Sequence, residues 1–174
     1  MADAEAAGAS EIETLFDHVD TDTARLQRYV VDGRIPRAAI RADTSGEIER
    51  VQSLAMSHDI AVVPAGGRTM LDLGMPPSRY DLAFDLTGLN RVVEYEPDDF
   101  TITVEAGMTL ADLQRHLAVN GQFLPLDHPR FERATLGGIA AVGRGGLRRN
   151  SFGGPRDWLI GMRMVKADGT PFKG

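Results

Sequence analysis

Two short glycine-bearing stretches have the residue types to hold an anion. In Val63-Pro64-Ala65-Gly66-Gly67-Arg68-Thr69 an apolar run leads straight into adjacent glycines. Paired glycines let a backbone turn tightly with no Cβ in the way, so several N–H groups can converge on one point. Such a concavity binds anions, pyrophosphate among them, and Arg68 or the Thr69 hydroxyl would add a donor. Taken alone, the stretch reads first as a strand-ending turn. In Ala134-Thr135-Leu136-Gly137-Gly138-Ile139-Ala140 the glycine pair lies between apolar residues. That pattern points to close backbone approach, either to a ligand or to another segment.

Other chemistries are excluded by residue type. A nucleoside-triphosphatase phosphate loop needs Gly-Lys followed by Ser or Thr, and Lys166 and Lys173, the only lysines, do not supply it. The dinucleotide spacing G-x-G-x-x-G fails because Gly143-Arg144-Gly145 meets Arg148 where the third glycine belongs. The absence of cysteine rules out disulfides, thiolate metal sites and a cysteinyl flavin link, and fits a reducing cytoplasm. His18, His58, His116 and His128 have no metal-ligand spacing, so no metal is expected. His58 reads as a helix-end residue, His116 as solvent-facing on its helix and His128 as a solvated loop histidine near the glycine stretches. A net charge of −6 gives no electrostatic basis for binding nucleic acid or an acidic membrane. No apolar run approaches the roughly 20 residues of a membrane span.

The elements that must position these loops follow from periodicity and caps. Residues 1–30 read as an extension, with a disordered alanine-rich start and a short helical stretch from Glu11 to Val31. Ala38–Arg41 reads as a strand. Thr44 and Glu47 have capping-box spacing, and the helix after them should bury Ile48, Val51, Leu54 and Ala55. The apolar run Ile60–Val63 reads as a buried strand, which makes a βαβ unit with parallel strands. Leu82–Leu86, Arg91–Tyr95 and Thr101–Glu105 read as three further strands. Thr109 caps a helix burying Leu110, Leu113 and Leu117 and ending at Asn120-Gly121. Leu159–Val165 reads as the last long strand, with Trp158 in the core at its start and Asp168-Gly169 as a hairpin turn. The strand after that turn is barely begun at Gly174, and its open edge carries the expectation of a chain that continues and of self-association. Arg148-Arg149 reads as a solvated surface loop, and Met56, Met75, Met162 and Met164 as packing residues.

In their order and spacing these pieces resemble the FAD-binding domain of the vanillyl-alcohol oxidase and p-cresol methylhydroxylase (PCMH-type) family, from about Ile35 to the end. Pro64 to Thr69 resembles its P-x-G-G-G-T loop. Val104-Glu105-Ala106-Gly107 resembles its V-x-A-G turn, and Leu124-Pro125-Leu126-Asp127 its P-x-D loop. Ala134 to Gly138 matches A-T-x-G-G, Phe152-Gly153 with Asp157 resembles Y-G-x-x-x-D, and Val165 to Gly169 resembles V-x-x-D-G. Within the family, residues 134–138 and 152–157 look most like the small FAD-binding subunit of bacterial glycolate oxidase.

The resemblance implies an α+β fold of two α/β subdomains, residues 31–90 and 91–174, with FAD extended between them. The second is expected to be incomplete, with no substrate cap domain. Pro64, Ala65, Gly66, Gly67, Arg68 and Thr69 would hold the pyrophosphate. Pro125, Ala134, Thr135, Gly137 and Gly138 would line the channel for the ribityl and isoalloxazine end. Gly145 and Gly153 would permit close approach, and Val165 would meet the adenine side by its backbone. Arg68 replaces the family's third glycine; relatives with histidine there bind flavin covalently, so non-covalent FAD is implied. Catalytic residues have no positions in this chain. The implied function is oxidation of a 2-hydroxy acid such as glycolate, in complex with a second flavoprotein and an iron–sulfur subunit. A non-catalytic flavin-binding or assembly subunit is the alternative, and the related reductase of cell-wall precursor synthesis ranks below both.

Overall fold

The computed structural model describes residues 12–174; the expected disordered start, at residues 1–10, lies outside them. The chain divides into two compact units. The first comprises the described residues up to Ala65, Met70–Leu86 and Arg163–Gly174; the second comprises Gly66–Thr69 and Thr87–Met162. The main division falls between Leu86 and Thr87, and two pieces cross it. The glycine loop belongs to the second unit and the C-terminal hairpin to the first.

The first unit is built on a three-stranded parallel sheet of β1 (Ala38–Arg41), β2 (Val62–Ala65) and β3 (Leu82–Asp85). The order is β1-β3-β2. The two strands of the βαβ unit are parallel as expected, yet they are not neighbours, because β3 inserts between them. All four residues of β3 are buried, as a central parallel strand requires. β2 starts two residues later than its apolar run and includes Pro64, which an edge strand tolerates. Within Glu11–Val31 the helical content is short: one turn at 12–15, then α1 (Thr23–Leu26), followed by a 3-10 turn at Gln27–Tyr29. Leu26, Tyr29 and Val31 pack with Ala39, Ala65, Tyr80 and Ala83.

Helix α2 (Ser45–Ser57) begins with the expected capping box: Thr44 Oγ1 accepts from Glu47 N, and the Glu47 carboxylate accepts from Thr44 N. Val51 and Ala55 are fully buried, while Ile48 and Leu54 are half-buried. His58 closes the helix, its Nδ1 3.0 Å from Leu54 O. Two buried carboxylates have firm partners. Asp81 accepts from Ala61 N at 2.8 Å and from Arg79 Nη2 at 2.8 Å, with Arg37 3.5 Å away. Asp85 accepts from the Tyr29 hydroxyl at 2.7 Å. Strands β6 (Arg163–Val165) and β7 (Pro171–Lys173) form the antiparallel hairpin around Asp168-Gly169. A Cβ on Gly169 would lie 2.5 Å from Glu49 O, so this turn abuts α2.

Strand β6 is shorter than the apolar run Leu159–Val165. Leu159, Ile160 and Met162 precede β6 and are exposed, and Trp158 sits 42% exposed in a 3-10 turn, with Nε1 donating to Phe152 O. Trp158 is therefore not a core residue. Met56, Met75 and Met162 are likewise exposed and not packed; among the described residues the buried methionine is Met108.

The second unit holds a β-hairpin and three helices, the last a single turn. β4 (Val92–Glu96) pairs antiparallel with β5 (Thr101–Val104) across a turn in which Phe100 has φ +55°. Thr109 caps α3 (Leu110–Ala118) by accepting from Asp112 N, and Leu110, Leu113 and Leu117 are buried as the heptad-like spacing requires. Met108, Leu113 and Leu117 pack with Val92, Tyr95, Ile102 and Val104. Thr135 caps α4 (Leu136–Val142), which Gly143 ends at φ +64°. Arg148-Arg149 leads into one exposed helical turn, α5 (Arg149–Phe152).

The hairpin is tied at its open end by one ion pair. Arg91 precedes β4 and Glu105 follows β5. The Glu105 carboxylate accepts from Arg91 Nη2 at 2.7 Å and from Arg91 N at 2.9 Å. The guanidinium hydrogen bond, first, holds the Glu105 carboxyl below the ordinary carboxylate range. A folded-state value below the unfolded one means stability that is present above the unfolded pKa, about 4.3, and lost as pH falls through the folded value. Replacing Glu105 by Gln should lower the melting temperature near neutrality and leave it unchanged in strong acid. Melts between pH 2.5 and 7 check this; a constant offset at all pH values would rule out the ion pair as the cause.

Candidate functional site

The Gly66–Thr69 loop is docked on the segment that leads into α4. A Cβ on Gly66 would overlap Thr135 Oγ1 and lie 3.2 Å from Thr135 Cβ. One on Gly67 would overlap the Arg133 carbonyl oxygen and lie 2.5 Å from its carbon. Real Cβ contacts are not made at such distances, so both positions need glycine whatever else the loop meets. The two glycine stretches singled out in the sequence are therefore each other's neighbours.

The receiving segment is itself fixed. Leu110 N donates to Ala134 O, Leu136 N to Met108 O, and Gly137 N to Ala106 O, all at 2.8–2.9 Å. Ala134 and Thr135 are buried, and Thr135 Oγ1 accepts from Gly138 N. A Cβ on Gly137 would lie 2.8 Å from that of Ala106, so the V-x-A-G turn packs directly on the A-T-x-G-G helix start. Sequence reading places Ala106 in the V-x-A-G motif but does not assign it this contact.

Arginines hold the carbonyl side of the loop. Arg133 Nη2 donates to Gly67 O at 3.2 Å, and Arg130 Nη1 donates to Thr69 O at 3.3 Å. Among the described residues, the amide N–H groups of Gly66, Gly67 and Thr69 have no hydrogen-bond partner. Arg68 lies at φ +55°, the left-handed conformation that turns successive N–H groups to one side in anion-binding nests. The resemblance sets Arg68 at the third glycine of the P-x-G-G-G-T loop, and that positive φ is what a glycine there would satisfy without strain. Arg130 and Arg133 are not visible as site residues in the sequence, where they stand as two charges in a loop.

The remaining positions fall in three places. Pro125 is buried in the Leu124–His128 loop, which Gln114 pins by accepting from Leu124 N and donating to Leu124 O. Gly145 and Gly153 lie beside α5: a Cβ on Gly145 would be 3.2 Å from Arg149 Cβ, and Gly153 has φ +82° against Asp157. Pro64, Ala65 and Val165 belong to the first unit, with Pro64 and Ala65 in β2 and Val165 ending β6.

His128 is not solvated. It is 8% exposed, with Nδ1 2.6 Å from Pro129 O. His128, Asp127 and Arg148 line an open recess of about 590 Å³ whose other walls include Leu110, Phe123 and Phe131. Asp127 is engaged by the Arg148 amide at 3.2 Å, and the Arg148 guanidinium lies 5.9 Å from the Phe123 ring centre. His116 is exposed, as expected, beside the Tyr95 ring. Among the described residues there is no His, Asp or Glu group able to hold a metal, and no helix long and apolar enough to cross a membrane.

Comparison with known proteins agrees with this architecture. Residues 36–173 match the model of an FAD binding domain family. The chain is 31% identical to the glycolate oxidase subunit GlcD of Bacillus subtilis over 135 residues, 78% of this chain and 29% of that one. It is 33% identical to the D-2-hydroxyglutarate dehydrogenase of Xanthomonas citri over 127 residues, 71% of this chain and 27% of that one. The chain thus spans less than a third of the length of these relatives. Its fold matches an alkyldihydroxyacetonephosphate synthase with a TM-score of 0.80 at 20% identity, covering 96% of this chain and 34% of that structure. It matches substrate-bound p-cresol methylhydroxylase with a TM-score of 0.75 at 20% identity, covering 98% of this chain and 35% of that structure. The motifs, the mixed helix–strand fold and the family match together place the chain in the FAD-binding domain family of PCMH-type flavoproteins.

Proposed function

We propose that the chain is the FAD-holding part of a flavin-dependent oxidoreductase that oxidises a 2-hydroxy acid such as glycolate. The observation that carries the reading is the Gly66–Thr69 loop. Its Gly67 and Thr69 carbonyls are engaged by arginines, and the amides of Gly66, Gly67 and Thr69 have no partner among the described residues. Donors without competing acceptors suit a diphosphate. The names of the relatives, a glycolate oxidase subunit and 2-hydroxy acid dehydrogenases, support the substrate class.

In this reading Pro64, Ala65, Gly66, Gly67, Arg68 and Thr69 hold the diphosphate. Pro125, Ala134, Thr135, Gly137 and Gly138 line the ribityl and ring end; Gly145 and Gly153 give close approach, and Val165 meets the adenine. Bound FAD supplies acceptance of a hydride equivalent from the substrate carbon. The protein's part is to orient the dinucleotide and limit water around it. Arg68 offers no imidazole for a covalent bond, so FAD is held non-covalently. The partners in this reading are a second flavoprotein and an iron–sulfur subunit, and the compartment is the cytoplasm. A non-catalytic flavin-binding or assembly subunit is the second reading, favoured by the lack of any assigned acid or base at the glycine loops.

The visible spectrum of the purified chain tests the cofactor. Flavin bands that pass into the supernatant on acid precipitation are expected. A colourless protein that takes up no added FAD would defeat the proposal. Glycolate-dependent dye reduction that occurs only with partner subunits added would favour the second reading.

A further inference from the structure

Among the described residues, the side chains of Arg130 and Arg133 have no hydrogen-bond partner beyond the carbonyls of the glycine loop. Both are exposed, and neither forms an ion pair with a described carboxylate. Each reaches the same four-residue loop, one at Gly67 O and one at Thr69 O. Arg130 does so from a backbone at φ +57°, a conformation costing a non-glycine residue about 1 kcal/mol.

We propose that Arg133 and Arg130 are positioning residues for the dinucleotide diphosphate. They hold the loop by its carbonyls, which keeps acceptors away from the ligand and leaves the amides of Gly66, Gly67 and Thr69 to it. They also bring two positive charges to a group carrying two negative ones. A backbone loop alone would bind the diphosphate through partial charges. Here full charges stand one peptide behind those partial charges, so affinity should fall with ionic strength as mobile ions screen them. The inference rests on the FAD reading above.

The test is FAD binding by fluorescence quenching, with riboflavin as the ligand that lacks phosphates, at about 25 mM and about 300 mM salt, where the Debye length drops from roughly 20 Å to 6 Å. Arg133→Gln should weaken FAD about tenfold, the size of one charge-assisted hydrogen bond. It should flatten the salt dependence and leave riboflavin unchanged. Arg133→Lys should restore the salt dependence and part of the affinity. Arg130→Gln should act in the same direction and carries the test if Arg133→Gln fails to fold by circular dichroism. Unchanged FAD affinity and salt dependence in both variants would overturn the inference while the FAD reading stands. A loss shared equally by riboflavin and insensitive to salt would also overturn it, because the arginines would then merely hold the fold. An unsubstituted chain that binds neither FAD nor inorganic pyrophosphate would take down both readings.

Discussion

Replacing Gly67 by Ala should weaken FAD binding by at least about a hundredfold, roughly 2.7 kcal/mol, and lower the melting temperature of the chain. The added methyl would overlap the carbonyl of Arg133, and that carbonyl has nowhere to go. The residues after it are held by backbone hydrogen bonds to Met108, Leu110 and Ala106, and Ala134 and Thr135 are buried. The loop must lift instead, which breaks the Arg133–Gly67 bond and scatters the amides that would meet the diphosphate. Overpacking of this kind costs about 1–3 kcal/mol before any ligand is considered. Gly46→Ala is the control. Gly46 lies in the first turn of α2 with nothing within 4 Å of an added Cβ, so that change should stabilise by about 0.5–1 kcal/mol. Titration with FAD and thermal melts of the two variants decide the matter. A Gly67→Ala chain that binds FAD as the parent does would mean that the loop is free to move and that the docking is not a requirement of the site.

The glycine pair illustrates what was legible in the sequence. Its flexibility, its place after an apolar run and its kinship to a known motif could be read from residue types alone. What the glycines face could not, because Arg133 and Thr135 arrive from more than 60 residues away. The same division runs through the fold. Local signals gave β1 with its bounds, the Thr44–Glu47 box, the Thr109 cap and the Asp168-Gly169 turn, since each depends on neighbours within four residues. The insertion of β3 between β1 and β2 depends on long-range pairing and left no local trace. His128 was read as solvated because histidine in a proline-rich loop usually is; its burial comes from the packing around the recess. Trp158 reads as core from its place at the head of an apolar run, yet Leu159, Ile160 and Met162 in that run are themselves exposed. Arg130 and Arg133 had no signal, since a hydrogen bond to a distant carbonyl leaves no pattern in sequence.

Replacing Phe84 by Ala should produce the largest loss of stability, about 3–5 kcal/mol. Phe84 is 1% exposed in the central strand β3, in register with Ile40 on one side and Pro64 on the other. Both neighbours are fixed by the ladder, so little can collapse into the space left behind. The substitution changes no residue of the Gly66–Thr69 loop, however, and this separates it from Gly67→Ala. A chain destabilised in its core but intact at its site recovers stability from ligand, by about 2.7 kcal/mol at a hundredfold excess over Kd. Saturating FAD should therefore raise the melting temperature of Phe84→Ala by as much as that of the parent, and that of Gly67→Ala hardly at all. Denaturation of the three proteins with and without FAD gives the comparison. If FAD rescues Gly67→Ala as well as Phe84→Ala, the loop is not where the dinucleotide gains its affinity. If it rescues neither while raising the parent, the sheet supports the site more directly than its distance in sequence from the arginines suggests.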